Sequence, residues 1–268
     1  MPKGLRTMSF LAFSLLARML LSTCPSIEFN RNRKHGDIEM KELTWKPILS
    51  NLRVVLWELD IIHLRLHFLD FGELPEDCLL SGDVSYLAWL KKEGKRHPFD
   101  QVDLFLRLEH AYYHLNWAWN CRHTRVWHFT ERDGRRWTGF PDTADFKDLW
   151  PSDRTVKGHI DELQGKVGSP VRSFVHMAYR KVGVLCYLVA KKLGKEWERP
   201  QGLFPEVGAL PLTEKDFACR MHRIYMELNM AWNSRRDKTF ATDKRAVDRR
   251  RLFPSIFATG CHNMWHVN

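Results

Sequence analysis

The octapeptide Leu115-Asn116-Trp117-Ala118-Trp119-Asn120-Cys121-Arg122 recurs 113 residues later as Leu228-Asn229-Met230-Ala231-Trp232-Asn233-Ser234-Arg235. Ungapped alignment of residues 98–141 with 211–254 gives 14 identities in 44 positions, where unrelated segments of ordinary composition share roughly 3. A segment present twice must fold twice. Its apolar face must also be buried twice, which favours two related units over one irregular fold.

The element that recurs is an amphipathic helix. Leu104, Leu108, Ala111, Leu115 and Ala118 fall on one stripe, matched by Phe217, Met221, Ile224, Leu228 and Ala231. Tyr112 and Trp119 border the first stripe, and Tyr225 and Trp232 border the second. Asp100 followed by Asp103, and Thr213 followed by Asp216, have the spacing of a capping box at each helix start.

Upstream, residues 45–71 read as a long helix with two apolar faces. Val55, Leu59, Ile62, Leu66 and Leu69 lie on one, and Val54, Trp57, Ile61, Leu64 and Phe68 on the other. Burial on two sides places such a helix inside a bundle. Gly72 and Pro75 end it, and a shorter helix over 84–93 follows. Residues 170–193 form another helix, with Phe174, Met177, Val182, Val184, Leu185 and Leu188 available for burial. After the repeated helices the two segments diverge. Asp133-Gly134 supplies the turn that a small β-hairpin over 125–140 requires, whereas residues 243–251 read as a short helix.

The expectation is an all-α, internally duplicated helical bundle made of two related helical hairpins. Residues 40–141 form the first repeat, 142–169 a polar connector and 170–268 the second repeat. Residues 1–39 are a non-core extension. Their basic start, apolar run over 8–21 and small residues before Cys24 outline a secretory signal, but Arg18 interrupts the run and no A-x-A site follows. A start at Met40, with the preceding residues read from upstream, and an added surface helix are the other readings. The run is shorter than the roughly 20 residues needed to cross a bilayer.

Six cysteines stand singly, without C-x-x-C pairs or a Cys/His cluster at zinc spacing, which fits a reduced cytoplasmic protein. At one repeated column Cys121 becomes Ser234, so a small polar residue suffices there. A formal net charge of +10 favours anionic partners such as nucleic acid or an acidic protein.

Four features carry candidate chemistry. Asn116 with Asn120, and Asn229 with Asn233, are i, i+4 pairs beside the apolar stripe, with Arg122 and Arg235 at the helix ends. Asparagine disfavours helix interiors, so its recurrence implies a hydrogen-bonding task. That task is either structural, across a pseudo-twofold interface with the arginines capping helix carbonyls, or it is the grip on a polar or anionic ligand.

The second feature is histidine spacing. Asp60, His63, His67 and Asp70 share one side of the first helix, and His110 and His114 repeat the i, i+4 pattern that can chelate a metal. The bundle di-iron signature Glu-x-x-His is absent, and Arg223 with Glu227 at the second repeat's columns reads as a surface ion pair. The expectation is therefore a solvated, mutually paired strip with no metal and no other cofactor, and a metal-dependent bundle enzyme on His63 and His67 is a further alternative.

Third, Arg122 and His128 form R-x5-H. This resembles the loose R-x4-6-H motif of HEPN ribonucleases, themselves helical bundles, and the resemblance implies an Arg and a His acting on the scissile phosphate and the 2′-hydroxyl. It spans seven residues, and the second repeat has Ala241 in place of the His.

Fourth are the basic segments. Arg235, Arg236, Lys238, Lys244, Arg245, Arg249, Arg250 and Arg251 follow the second helix, opposed by Asp237, Asp243 and Asp248. Arg122, Arg125, Arg132, Arg135 and Arg136, near Trp127 and Trp137, follow the first. Arginine among aromatics can neutralise phosphate and stack on bases. The alternative is a solvated face paired with the connector's acids. No Gly-rich phosphate loop, G-x-S-x-G elbow or H-E-x-x-H motif is present. The sequence thus favours a non-enzymatic protein that binds an anionic partner, with Arg132, Arg136, Arg245, Arg249 and Arg250 as the basic face and the repeated Asn/Arg residues as a polar motif. A HEPN-like ribonuclease is the leading alternative.

Overall fold

The structure, a computed structural model, describes residues 37–72, 88, 92, 99–123, 140–141, 144–149, 163, 165–196, 212–239 and 243–253. The chain divides into Met1–Gly36 and Asp37–Asn268, and every described element belongs to the second unit. These elements are helices: α1 (Asp37–Phe71), α2 (Gln101–Asn120), α3 (Pro170–Lys192), α4 (Glu214–Asn233) and α5 (Lys244–Arg250), with 3-10 turns at Cys121–His123 and Ala144–Leu149. No named strand occurs among the described residues, where pairing is limited to one isolated bridge between Asp100 and Lys166. All but Phe140 of the hairpin expected over 125–140, residues 142–143, 150–162 and 164 of the connector, and most of the helix expected over 84–93 lie outside the described residues.

Four long helices pack as a ring in the order α1, α2, α4, α3. Pairwise contacts fix their directions. Arg65 on α1 meets Asp103 near the start of α2, while Asn51 meets His114 near its end, so these two run antiparallel. Asp70 with Arg172 sets α3 antiparallel to α1, and Lys192 Nζ on Leu212 O at one end with Gly168 N–H on Arg235 O at the other does the same for α4 against α3. The order along the chain is therefore up, down, down, up. Since α2 and α3 point the same way, the chain must travel back along the bundle between them. A 20-residue helix is about 30 Å long, which is the physical reason for the long connector.

The periodicity argument holds for most of α1, with Val54 and Trp57 only half-buried. Val55, Leu59, Ile62 and Leu66 on one face of α1 are buried, as are Ile61, Leu64 and Phe68 on the other, so the helix is covered by α2 and by α3. Leu69 departs from the pattern and is exposed. α1 also starts earlier than expected, at Asp37, and continues through Pro47. All ten stripe residues of α2 and α4 are buried. Burying a Leu or Phe side chain contributes about 1.5–3 kcal/mol, so these two stripes account for much of the cohesion. Both capping boxes form: Asp100 accepts from the backbone of Val102 and Asp103, and Thr213 from that of Asp216.

α3 begins with Pro170 in its first turn and ends at Gly194, whose φ of +66° is unfavourable for other residues. There the Lys195 N–H reaches Ala190 O at 2.9 Å and the Gly194 N–H reaches Lys191 O at 3.0 Å, closing a Schellman end. Of the α3 residues expected to be buried, Met177 is exposed and Phe174 and Val184 are half-buried.

Candidate functional site

α2 and α4 meet antiparallel, and the residues aligned by the 113-residue offset meet crosswise. The Tyr112 hydroxyl donates to Asn229 Oδ1 at 2.7 Å, and the Tyr225 hydroxyl donates to Asn116 Oδ1 at the same distance. The two phenol rings stack at 6.4 Å, and Phe140 and Phe253 stack on each other at 4.3 Å, edge-on to the tyrosines. Trp119 stacks with Phe217, and Trp232 packs against Phe105. Tyr112, Trp119, Tyr225 and Trp232 thus form the centre of the core and do not merely border it. Burial pushes both phenol pKa values well up, with the facing Tyr225 adding to the effect on Tyr112.

Of the repeated Asn/Arg motif, Asn116, Asn229, Asn233, Arg122 and Arg235 bond within the fold, and Asn120 is half-buried. Asn229 Nδ2 donates to Arg251 O at 2.7 Å, and Asn233 Nδ2 donates to both Arg250 O and Leu252 O at 2.9 Å. These bonds hold the strap after α5 so that Phe253 reaches the core. Arg122 Nη1 donates to Trp119 O at 2.8 Å with its guanidinium 3.5 Å over the Trp119 ring, and Arg235 does the same at Trp232, at 3.2 and 4.1 Å. Arg122 also lies within 4.0 Å of Glu214 at the start of α4. Each arginine adds a side-chain donor to a carbonyl of the last helical turn that a backbone N–H also reaches. Cys121 and Ser234, the column where a small residue was expected to suffice, are both fully buried.

Of the HEPN-like pair, Arg122 caps at Trp119 and His128 lies outside the described residues. Arg132 and Arg136 lie outside them as well. Arg245 and Arg249 are exposed on α5, one turn apart, and form no ion pair among the described residues. Arg250 is paired with Asp237 at 2.7 Å, and Arg251 lies 3.8 Å from Asp248. Of the described members of the expected basic face, Arg245 and Arg249 are exposed and Arg250 is ion-paired.

The histidines differ from expectation. His63 and Asp60 are buried, not solvated, with the His63 ring among those of His67, His176 and Tyr179 between α1 and α3. His110 and His114 turn towards α1. His110 Nδ1 contacts Glu58 Oε1 at 2.8 Å, His114 Nδ1 contacts Asn51 Oδ1 at 2.8 Å, and the two Nε2 atoms lie 3.1 Å apart. Arg107 Nη1 donates to Glu58 Oε2 at 2.7 Å. Burial alone would raise the Glu58 pKa, but Arg107 and His110 outweigh it and hold the carboxyl at about 2. Burial, reinforced by His110, lowers His114 to about 3. In the second repeat, Glu227 is buried and pairs with Lys181 on α3, and Arg223 is exposed. The expected surface pair between Arg223 and Glu227 is thus replaced by a pair across helices.

Sequence reasoning missed Glu58, Arg107 and Asn51. The available signal was spacing: Arg107, His110 and His114 share one helical face, and Asn51 and Glu58 share another seven residues apart. Cys121 and Cys186 are free and buried, their thiols pushed up to about 12 by burial, while Cys219 is free and exposed. No described helix is long and apolar enough to cross a membrane.

The fold and its contacts define an all-α bundle with a polar network on one side and an arginine helix on another. Comparison with family models, with curated proteins and with solved structures finds no match.

Proposed function

We propose that this is an internally duplicated helical bundle that binds an anionic partner, foremost the phosphate backbone of a nucleic acid, without catalysing a reaction. One observation carries the reading. Most identities between the two segments have a packing task where they are described: Asp103 and Asp216 complete caps, Tyr112, Asn116, Trp119, Arg122 and their counterparts lock α2 to α4, and Phe140 stacks on Phe253. Arg245 and Arg249 are different. They repeat as Arg132 and Arg136, yet they are exposed and form no ion pair among the described residues. Exposed arginines at columns that recur in both segments have the chemistry to bind phosphate bidentately from outside.

A reduced, cytoplasmic setting belongs to this reading and rests on the single cysteines. The HEPN-like alternative has less support, because Arg122 and its counterpart Arg235 share the same capping role.

The test is a salt titration of the full chain against labelled RNA and DNA by fluorescence anisotropy. Log affinity should fall linearly with log salt, and Arg245→Ala with Arg249→Ala should flatten the slope by about 1.8 on duplex DNA, at roughly 0.9 per phosphate. Absence of binding at low salt, or an unchanged slope in the double variant, would remove the proposal. RNA cut in the same tube by wild type but not by His128→Ala would establish the ribonuclease instead.

A further inference from the structure

The side chains between α1 and α2 form a hydrogen-bonded chain whose donors and acceptors can be assigned. Asn51 Nδ2 donates to Pro47 O at 2.9 Å, which turns its Oδ1 towards His114 Nδ1 at 2.8 Å. The opposite amide orientation would set Oδ1 against the Pro47 carbonyl oxygen, so it is disfavoured. An amide oxygen only accepts, so His114 carries its proton on Nδ1. Glu58 is a carboxylate clamped by Arg107, and it too only accepts, so His110 carries a proton on Nδ1 as well.

The consequence falls on the other nitrogens. With Nδ1 protonated on both rings, the two Nε2 atoms lie 3.1 Å apart, a contact that needs a shared proton or a bound cation to hold it. Two lone pairs at that separation repel unless a positive species lies between them. We propose that His110 and His114 chelate a divalent transition-metal ion of the zinc class through their Nε2 atoms.

The geometry suits it. Two metal–nitrogen bonds of about 2.05 Å spanning the 3.1 Å gap meet at about 100°, close to a tetrahedral angle. Metal-bound histidines characteristically donate their second N–H to a carboxylate or an amide oxygen, which fixes the ring and raises its basicity. Here Glu58 and Asn51 do this, and Arg107 and Pro47 in turn fix them. The His110 side chain is 29% exposed, so the pair opens to solvent on that side. Among the described residues no third His, Cys, Asp or Glu joins the pair, and water or an outside ligand would complete the coordination. The second repeat has Arg223 and Glu227 at these columns, so one site per chain is expected.

The experiment uses the full chain after chelator treatment, titrated with Co²⁺ by visible absorption and with Zn²⁺ by thermal unfolding. One equivalent should bind, and Zn²⁺ at a hundredfold excess over its Kd should raise the folded-to-unfolded ratio about 100-fold. Both responses should vanish in the His110→Gln, His114→Gln double variant and persist in His67→Gln. If the double variant does not fold, nitrogen-15 spectra of wild type decide: Zn²⁺ should shift the His110 and His114 Nε2 resonances while both Nδ1–H signals remain. No saturable binding by wild type, binding that survives in the folded double variant, or an Nε2 pair bridged by a proton that Zn²⁺ does not displace would each overturn the site.

Discussion

Removing one hydroxyl at the centre of the bundle tests the crossed packing of α2 and α4. In Tyr112→Phe the ring remains, with its stacking on Tyr225 and its edge contact to Phe140, and only the 2.7 Å bond to Asn229 Oδ1 is lost. Tyr112 and Asn229 are both fully buried, so the abandoned oxygen has no water to replace the phenol. Leaving a buried acceptor unsatisfied costs about 1–3 kcal/mol, more than the 0.5–1.5 kcal/mol net worth of a typical hydrogen bond. Tyr225→Phe removes the mirror bond to Asn116 and should cost a similar amount. Tyr187→Phe, at a half-buried position on α3, should stay within about 0.5 kcal/mol of wild type. The assay is urea unfolding followed by circular dichroism, with the midpoint falling and the slope unchanged. An alkaline absorbance titration gives a second readout, since burial holds both phenols protonated far above the usual tyrosine range until the bundle opens. If both Phe variants unfold within about 0.3 kcal/mol of wild type, the premise of a dry, crossed pair is wrong.

Arg107 and Arg220 occupy the same repeated column but only Arg107 is buried, so Arg107→Leu should cost about 3–5 kcal/mol by stranding Glu58, while Arg220→Leu should change stability by less than about 1 kcal/mol in the same urea series. A Cβ added at Gly168 would lie 2.1 Å from Asp237 O, so Gly168→Ala must push back the turn after α4 and should lower stability by about 1–3 kcal/mol, read as a fall in Tm. Among the described cysteines, Cys219 should react with a thiol reagent in the folded protein, with Cys121 and Cys186 labelled only on unfolding, as peptide mass mapping would show. The two N3 aspartates should titrate in opposite directions by carboxyl NMR. Burial raises Asp103, so its contribution to stability grows on acidification, whereas the Thr213 hydrogen bonds lower Asp216, whose contribution is lost as pH falls through its folded pKa. Equal values for the pair would refute the assignment of burial to Asp103 alone.

Periodicity by itself determined which residues of α2 and α4 face the core, because a 3.6-residue repeat leaves no freedom about which side chains share a stripe. It also determined the capping boxes, the entry of α3 at Pro170 and its end at Gly194, since each depends on residues within one turn of chain. The two apolar faces of α1 announced burial on both sides before any partner was known. The roles of the polar residues were not legible in this way. Asn116 and Asn229 were visible as a recurring pair, but their crossed bonds to Tyr225 and Tyr112 join residues more than 100 positions apart, and only the antiparallel seating of α2 on α4 selects those partners. His110 and His114 lie away from the apolar stripe of α2 and so read as solvated. The sequence of one helix cannot show that α1 covers that flank with Glu58 and Asn51, and it is this covering that fixes the protons on Nδ1 and turns the two Nε2 atoms towards each other.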